Sequence, residues 1–315
     1  MKYGFGVDLG GTTVKLAYFD REGTLLDKWE IPTVTANEGT QILPDIAGSI
    51  RNYLNKNNIP DRDIIGIGIG VPGPVSATGM VNRCVNLGWG VFNVEQTLSS
   101  LTGFPVRAGN DANMAALGEC WKGSGEGFDN LIMVTLGTGI GGGIIIGGNP
   151  VCGARGAAGE IGHIVINRDE QALHTSGNRG CVEQYCSATG IVRMAARYLS
   201  SHDKPSVLRQ TKTLSCKDIF DAGKAGDPAA LAVLEQFYAL LGEFLANLCN
   251  VLDPEMVILG GGVSQAGSVL LDGIRPYFRN HVFHAIRDVD FAIASLGNDA
   301  GAYGAFKLAL QSFGT

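Results

Sequence analysis

Asp8-Leu9-Gly10-Gly11-Thr12-Thr13 sets a carboxylate at the end of an apolar run and follows it with two glycines and two hydroxyls. Such a loop can turn backbone N–H groups toward phosphate while the aspartate holds a hydrated Mg²⁺, although the same residues also suit an ordinary hairpin turn. A second loop, Leu136-Gly137-Thr138-Gly139-Ile140-Gly141-Gly142-Gly143, holds more glycine than a plain turn needs, and glycine costs chain entropy on folding. It lacks the Lys-Ser/Thr pair of a Walker loop, and a strand rather than a helix follows it, which makes a dinucleotide fingerprint a poor match. Phosphate binding by the backbone and Thr138 is the preferred reading. A third loop, Leu259-Gly260-Gly261-Gly262-Val263, reads as a strand running into glycines and then a helix, whose N-terminus can face a nucleotide's phosphates or ribose. Between the first two lies Gly109-Asn110-Asp111-Ala112-Asn113. Asn-Asp ahead of a helix is often an N-cap. With three glycine loops around it, Asp111 reads instead as a general base that accepts a hydroxyl proton, with Asn110 fixing the acceptor.

These residues need elements to hold them. Residues 3–9 and 14–19 read as strands of a hairpin with a glycine tip, and residues 25–31 as a third strand. Residues 130–136 and 143–146 repeat that pattern around the second loop, which suggests two related lobes with a nucleotide between them. Helical spacing covers 42–55 and 112–121, and a buried strand covers 64–71, closed by Pro72-Gly73-Pro74. Helices are expected over 183–199, 214–225 and 228–252, the last with Pro228 in its first turn. A strand over 256–260 is followed by a helix through Pro276 or beyond, then a strand over 291–296 and a helix over 299–311. The expected division is a small α/β lobe over 1–115, with the C-terminal helix 299–315 packing back on it, and a large α/β lobe over 116–298.

At 315 residues the chain exceeds one ordinary domain, consistent with two lobes of about 120 to 190 residues. Hydrophobic residues make up 45% and charged residues 17%, with no apolar run approaching the roughly 20 residues that span a bilayer. A net charge of −6 without blocks of like charge argues against nucleic acid or an anionic membrane as partner and favours small molecules. Seven cysteines without framework spacing read as reduced, mostly buried thiols. The N-terminus enters a strand at once, leaving no room for a signal peptide, so the cytoplasm is the expected location.

The spaced set DLGGTTVK, GNDANMAALGE, LGTGIGGGII, GAAGEIGH, GNRGCVEQY and LGGGVS resembles the ROK family of sugar kinases and repressors across nearly the whole chain. The resemblance implies the two-lobed, actin-like and hexokinase-like (ribonuclease H-like) ATPase fold, closing over ATP and a sugar. On its pattern Asp8, Gly10, Gly11, Thr12, Thr13 and Lys15 match the first phosphate loop, with Mg²⁺ near Asp8. Gly137, Thr138 and Gly139 match the second loop, Gly260, Gly261 and Gly262 the adenosine-side loop, and Asp111 the catalytic base. Gly73, Asn110, Asp111, Glu160, His163 and Glu183 match the sugar site. The implied activity is ATP-dependent phosphorylation of a hexose, glucose first, with N-acetylhexosamine, mannose or fructose as the alternative acceptors. A homodimer or homotetramer is the implied assembly.

Two other classes compete. ROK repressors place a helix-turn-helix ahead of the first phosphate loop, where this sequence has seven residues before Asp8. A non-catalytic sugar sensor would have no need of both Asp111 and Asp8. The sequence departs from the family at the structural Zn²⁺ site, where C-x-C-G-x-x-G-C-x-E is usual and His174-Thr175-Ser176-Gly177-Asn178-Arg179-Gly180-Cys181-Val182-Glu183 stands here. His163, His174 and Cys181 remain at matching positions, Ser176 is a poor ligand, and Cys186 is a candidate stand-in only if the backbone bends. The expectation is a loop free of Zn²⁺, held by hydrogen bonds from Arg179 or Asn178.

Overall fold

The computed structural model describes residues 2–314, so the outer ends of the expected lobes at Met1 and Thr315 lie outside the described residues. The apolar run at the N-terminus forms β1 (Tyr3–Leu9), which turns at Gly10-Gly11 into β2 (Thr13–Asp20) and then β3 (Leu25–Pro32). After α1 (Ile42–Lys56), the alternation of Ile and Gly in β4 (Ile64–Val71) gives a strand buried along its whole length. β5 (Met80–Cys84) and β6 (Trp89–Asn93) form a two-stranded hairpin that leads into α2 (Val94–Thr102), none of which the sequence patterns separated from loop. β7 (Val106–Asn110) and α3 (Asp111–Lys122) follow without a break. The glycine run of the second loop lies between β8 (Leu131–Leu136) and β9 (Ile140–Ile146), and β10 (Asn149–Pro150) pairs with β9.

The helix expected over 183–199 is two helices, α4 (Glu183–Cys186) and α5 (Ala188–Ser201), because Ser187 turns extended and caps α5 by accepting from the Gly190 N–H. A capping box of Ser215 and Asp218 starts α6 (Cys216–Lys224), and Asp227 caps α7 (Pro228–Leu252). By length and composition α7 is apolar enough to cross a membrane, contrary to the sequence-based expectation of no such segment. It is instead mostly buried, with Phe237, Leu241, Phe244 and Leu245 inside the larger of the hydrophobic clusters. Burial on that scale, worth about 2 kcal/mol per large side chain, is what an apolar helix gains in a protein core. β11 (Met256–Gly260), α8 (Ser268–His281), β12 (Asp290–Ile293) and α9 (Ala300–Phe313) complete the chain.

One sheet runs β3-β2-β1-β4-β7 and the other β10-β9-β8-β11-β12. In the first, β1, β4 and β7 are parallel, and β2 is antiparallel to both of its neighbours, β1 and β3. Two compact units result: residues up to Leu131 with Gly143–Gly159 and the residues from Ser295 on, and Ile132–Gly142 with Glu160–Ala294. The expected boundary near 115 is therefore displaced, since α3 belongs wholly to the first unit. The reason is close backbone packing of α3 on α9: a Cβ at Gly118 would lie 2.1 Å from the Ala300 carbonyl oxygen, and one at Gly304 1.7 Å from that of Met114. α9 lies as closely on the sheet, where a Cβ at Gly68 would meet the Ala305 carbonyl oxygen at 1.6 Å.

Candidate active site

In the first unit the parallel register aligns Asp8 with Gly70, Gly70 with Gly109 and Val71 with Asn110. Asp8 and the Asn110-Asp111 pair thus share the carboxyl edge of one sheet, two strands apart, or roughly 10 Å at the usual strand spacing. Ligands of open α/β sheets bind at that edge. The antiparallel register also sets Lys15 opposite Asp8, and its Nζ lies 3.3 Å from Asp8 Oδ2 and 3.3 Å from the Asn298 carbonyl oxygen. The N-terminus of α9 faces the same carboxylate: a Cβ at Gly301 would lie 2.8 Å from Asp8 Cγ. The positive end of a helix stabilises negative charge placed there.

Asn110 is both an N-cap and a tether. Its Oδ1 accepts the Asn113 N–H at 3.1 Å, and its Nδ2 donates to the Gly73 carbonyl oxygen at 3.2 Å. The competing N-cap reading of the sequence therefore holds for Asn110, while Asp111 is the first residue of α3, its Oδ1 accepting the Ala112 N–H. Beside Gly73, burial pushes the Cys84 thiol up, and the Asp111 charge adds to that shift.

Sequence reasoning passed over Glu119 although it closes the quoted segment GNDANMAALGE. Its carboxylate is fully buried and accepts from the Ser124, Ser295 and Leu296 N–H groups. It thereby ties α3 to the turn that opens α9. The available signal was a charged residue on the apolar side of a helix next to alanine and leucine.

In the second unit Glu183 is the hub. Its Oε2 accepts the Ile140 N–H at 2.7 Å, so it braces the second glycine loop. A Cβ at Gly139 would lie 2.4 Å from that oxygen, which explains glycine there by close approach of a carboxylate as much as by phosphate. The loop's Gly137 and Thr138 carbonyl oxygens accept from the Ala188 N–H and the Thr189 hydroxyl at the start of α5. Glu160 and His163 lie on a short turn with Oε2 and Nε2 3.6 Å apart, both about half exposed, and the His163 ring stands edge-on to His174 at 5.2 Å. Glu160, His163 and Glu183, assigned to one site on sequence, are brought together by way of His174.

The third loop departs from expectation. Gly262 opens a 3-10 turn (Gly262–Ala266), and α8 begins only at Ser268, after Gly267 adopts φ +68°. No helix N-terminus follows the glycines directly. Gly261, with φ +81°, packs against β8, where a Cβ would meet the Leu136 carbonyl oxygen at 2.5 Å. By contrast, nothing lies within 4 Å of a Cβ built at Gly11 or Gly262.

The family resemblance implies His163, His174 and Cys181 as donors to Zn²⁺. Ligand atoms of His163, His174 and Cys181 lie within 4.8 Å of one another, as the matching positions implied. Ser176, at the remaining position, is a neutral hydroxyl, and both ring nitrogens of His174 already face partners, Ser176 Oγ at 2.8 Å and Glu183 Oε1 at 2.6 Å. Cys181 is the one thiol in this set, where a closed structural site draws most of its affinity from several thiolates. Cys186 packs in the hydrophobic core instead of standing in. The set does not fit a closed structural Zn²⁺ site. The bond that reaches Glu183 comes from His174, while Asn178 bonds within the turn, through its carbonyl, which accepts the His174 N–H at 2.7 Å. No disulfide joins any of the seven cysteines.

Two α/β units and two five-stranded sheets, with a carboxylate and a glycine turn at the first hairpin and an Asn-Asp pair at the sheet edge, define an actin-like ATPase fold of the sugar-kinase type. Residues 4–312 match the ROK family, and the chain belongs to it. It is 43% identical to a glucokinase of Halalkalibacterium halodurans over 97% of this chain and 94% of that protein. A glucokinase of Thermotoga maritima is 32% identical, covering 98% of each chain. The crystal structure of a ROK family glucokinase from Streptomyces griseus in complex with glucose and AMPPNP superposes with a TM-score of 0.75 at 34% identity, covering 98% of this chain and 99% of that one.

Proposed function

We propose that this protein is an ATP-dependent glucokinase that transfers the γ-phosphoryl group of ATP to the 6-hydroxyl of glucose. The single observation that carries the reading is the placing of Asp8 and Asp111 two strands apart on one carboxyl edge. That spacing leaves room for a phosphoryl group near Asp8 and an attacking hydroxyl at Asp111. Asp111 takes the hydroxyl proton as the new P–O bond forms and the bond to ADP breaks in line. Asn110, fixed by its two hydrogen bonds, holds the acceptor's orientation in the first unit; in the second, the family resemblance assigns Glu160, His163 and Glu183 to sugar hydroxyls.

Gly11 and Gly262 lack any protein neighbour that forbids a side chain, which supports close approach of nucleotide to the backbone there. The carboxylate of Asp8, a hard oxygen donor, suits Mg²⁺, which when bound with ATP neutralises phosphate charge. The identity with glucokinases supports glucose over N-acetylhexosamine, mannose or fructose. A homodimer or homotetramer in the cytoplasm remains part of this proposal, resting on the family resemblance and the acidic, charge-sparse composition.

ADP release measured against a panel of hexoses and N-acetylhexosamines tests the reading. The expected result is kcat/KM highest for glucose. A higher value for any other sugar would reassign the acceptor, and ADP release with none would remove the kinase.

A further inference from the structure

We infer that a hydrogen-bonded chain, Ser176 to His174 to Glu183, takes the place of a structural metal in this protein and makes His174 the positioning residue for the sugar-side carboxylate. The inference rests on the proposed role of Glu183 as a sugar ligand, and it concerns what holds that residue.

The direction of the chain follows from its donors. The Ser176 backbone N–H points to His174 Nδ1 at 3.2 Å, and Ser176 Oγ lies 2.8 Å from the same nitrogen. A backbone N–H can only donate, which assigns the lone pair to Nδ1 and the ring proton to Nε2. Nε2–H then donates to Glu183 Oε1 at 2.6 Å. The other carboxylate oxygen accepts the Ile140 N–H at 2.7 Å. The imidazole is aimed by a tight turn, in which His174 N–H donates to the Asn178 carbonyl at 2.7 Å and Gly177 N–H to the His174 carbonyl at 2.9 Å.

The His174 side chain is only 5% exposed, so the bond to a carboxylate is charge-assisted and shielded from competing water. A carboxylate has about four acceptor positions. Two are taken by the protein from opposite oxygens, which fixes the plane of the group. With 24% of the side chain still exposed, the remaining positions are left for hydroxyl donors. Where thiolates at 174 and 176 would shape this loop through a bound metal, the imidazole reaches the carboxylate directly and the serine orients it.

The test combines metal content, tautomer and sugar binding on the full chain. Elemental analysis after dialysis against zinc is expected to show far less than one zinc per chain, and ¹⁵N-detected histidine spectra a His174 protonated on Nε2. A zinc in every chain, or an Nδ1–H tautomer, overturns the inference. Glucose binding is then measured by calorimetry without nucleotide. His174→Asn has an amide too short to reach Glu183, whereas that of His174→Gln can reach it. Asn is expected to weaken glucose about tenfold or more and Gln to recover most of that loss, with thermal melts confirming that both fold. If His174→Asn binds glucose like the wild type while Glu183→Ala does not, the positioning role falls and the sugar role of Glu183 stands. If Glu183→Ala also binds normally, the sugar role falls and this inference with it.

Discussion

Glu183 Oε2 accepts the Ile140 N–H at 2.7 Å, so one carboxylate joins the residues assigned to sugar and the loop assigned to phosphate. Both of its oxygens face donors, since His174 Nε2 is 2.6 Å from the other. An amide at this position presents one acceptor and one donor end, and the donor end must face an N–H. Glu183→Gln is therefore expected to lower stability by about 1–3 kcal/mol. It should also raise KM for glucose more than KM for ATP, because the lost acceptor positions serve the sugar. Equal rises in both constants, from steady-state kinetics with each substrate varied, would remove Glu183 from the sugar site.

Asp111 opens α3 next to a tethered Asn110. Asp111→Asn leaves the fold and the cap intact but cannot accept a proton. Turnover is expected to fall roughly 10²-fold or more, with glucose and AMPPNP affinities by calorimetry close to those of the parent. Near-normal turnover would mean that another group takes the proton.

Two glycines with similar sequence surroundings should respond differently to alanine. At Gly11 the protein leaves open space, whereas at Gly139 a Cβ would meet Glu183 Oε2 at 2.4 Å. Gly11→Ala should melt like the parent and raise KM for ATP. Gly139→Ala should lower the melting midpoint and impair both substrates, since the loop and Glu183 must separate. Identical behaviour of the two variants would contradict the structural difference.

Glu119 holds four donors with one buried carboxylate, the Ser124, Ser295 and Leu296 N–H groups and the Ser295 hydroxyl. Glu119→Ala strands those donors in a dry environment, at an expected cost of roughly 3 kcal/mol or more. Because the same turn opens α9 beside Asp8, nucleotide affinity should also fall in whatever fraction remains folded. Denaturant melts showing less than ~1 kcal/mol of loss would mean that these bonds are replaced by water.

Arg197 first, and Tyr185 and Arg193 with it, hold the buried Glu170 carboxyl well below the usual carboxylate range. A carboxyl depressed on folding contributes stability that is present above its unfolded pKa of about 4.3 and is lost as pH falls toward the folded value. Glu170→Gln should thus be less stable than the parent at neutral pH, with the gap closing as the pH drops below about 4. A gap that stays constant or widens in acid, followed by urea melts, would contradict the assignment.

Much of the local structure of the candidate site was legible in the residues themselves. Strand, glycine, carboxylate and hydroxyl at Asp8 to Thr13 specify a hairpin tip at a sheet edge, because an apolar run of period two must pair and glycine must turn it. Asn110-Asp111 could be placed at a helix start for the same local reason. The short range of capping and turn chemistry makes such features readable from a few neighbouring residues. The hairpin β5-β6 and helix α2 were not readable, since their stability comes from the core formed with β4 and β7 more than from their own pattern.

Tertiary structure alone decided what long-range partners decide. Whether Glu119 is a surface charge or a buried clamp depends on residues 176 positions away, and whether His174 is a ligand or a donor depends on where Glu183 lies in the folded loop. Gly139 and Gly11 are the same residue in similar motifs, yet one is required by a carboxylate 44 positions distant and the other by nothing in the protein. A sequence states which groups exist and which local turns they favour; which donor meets which acceptor is settled only when packing brings distant segments within about 3 Å.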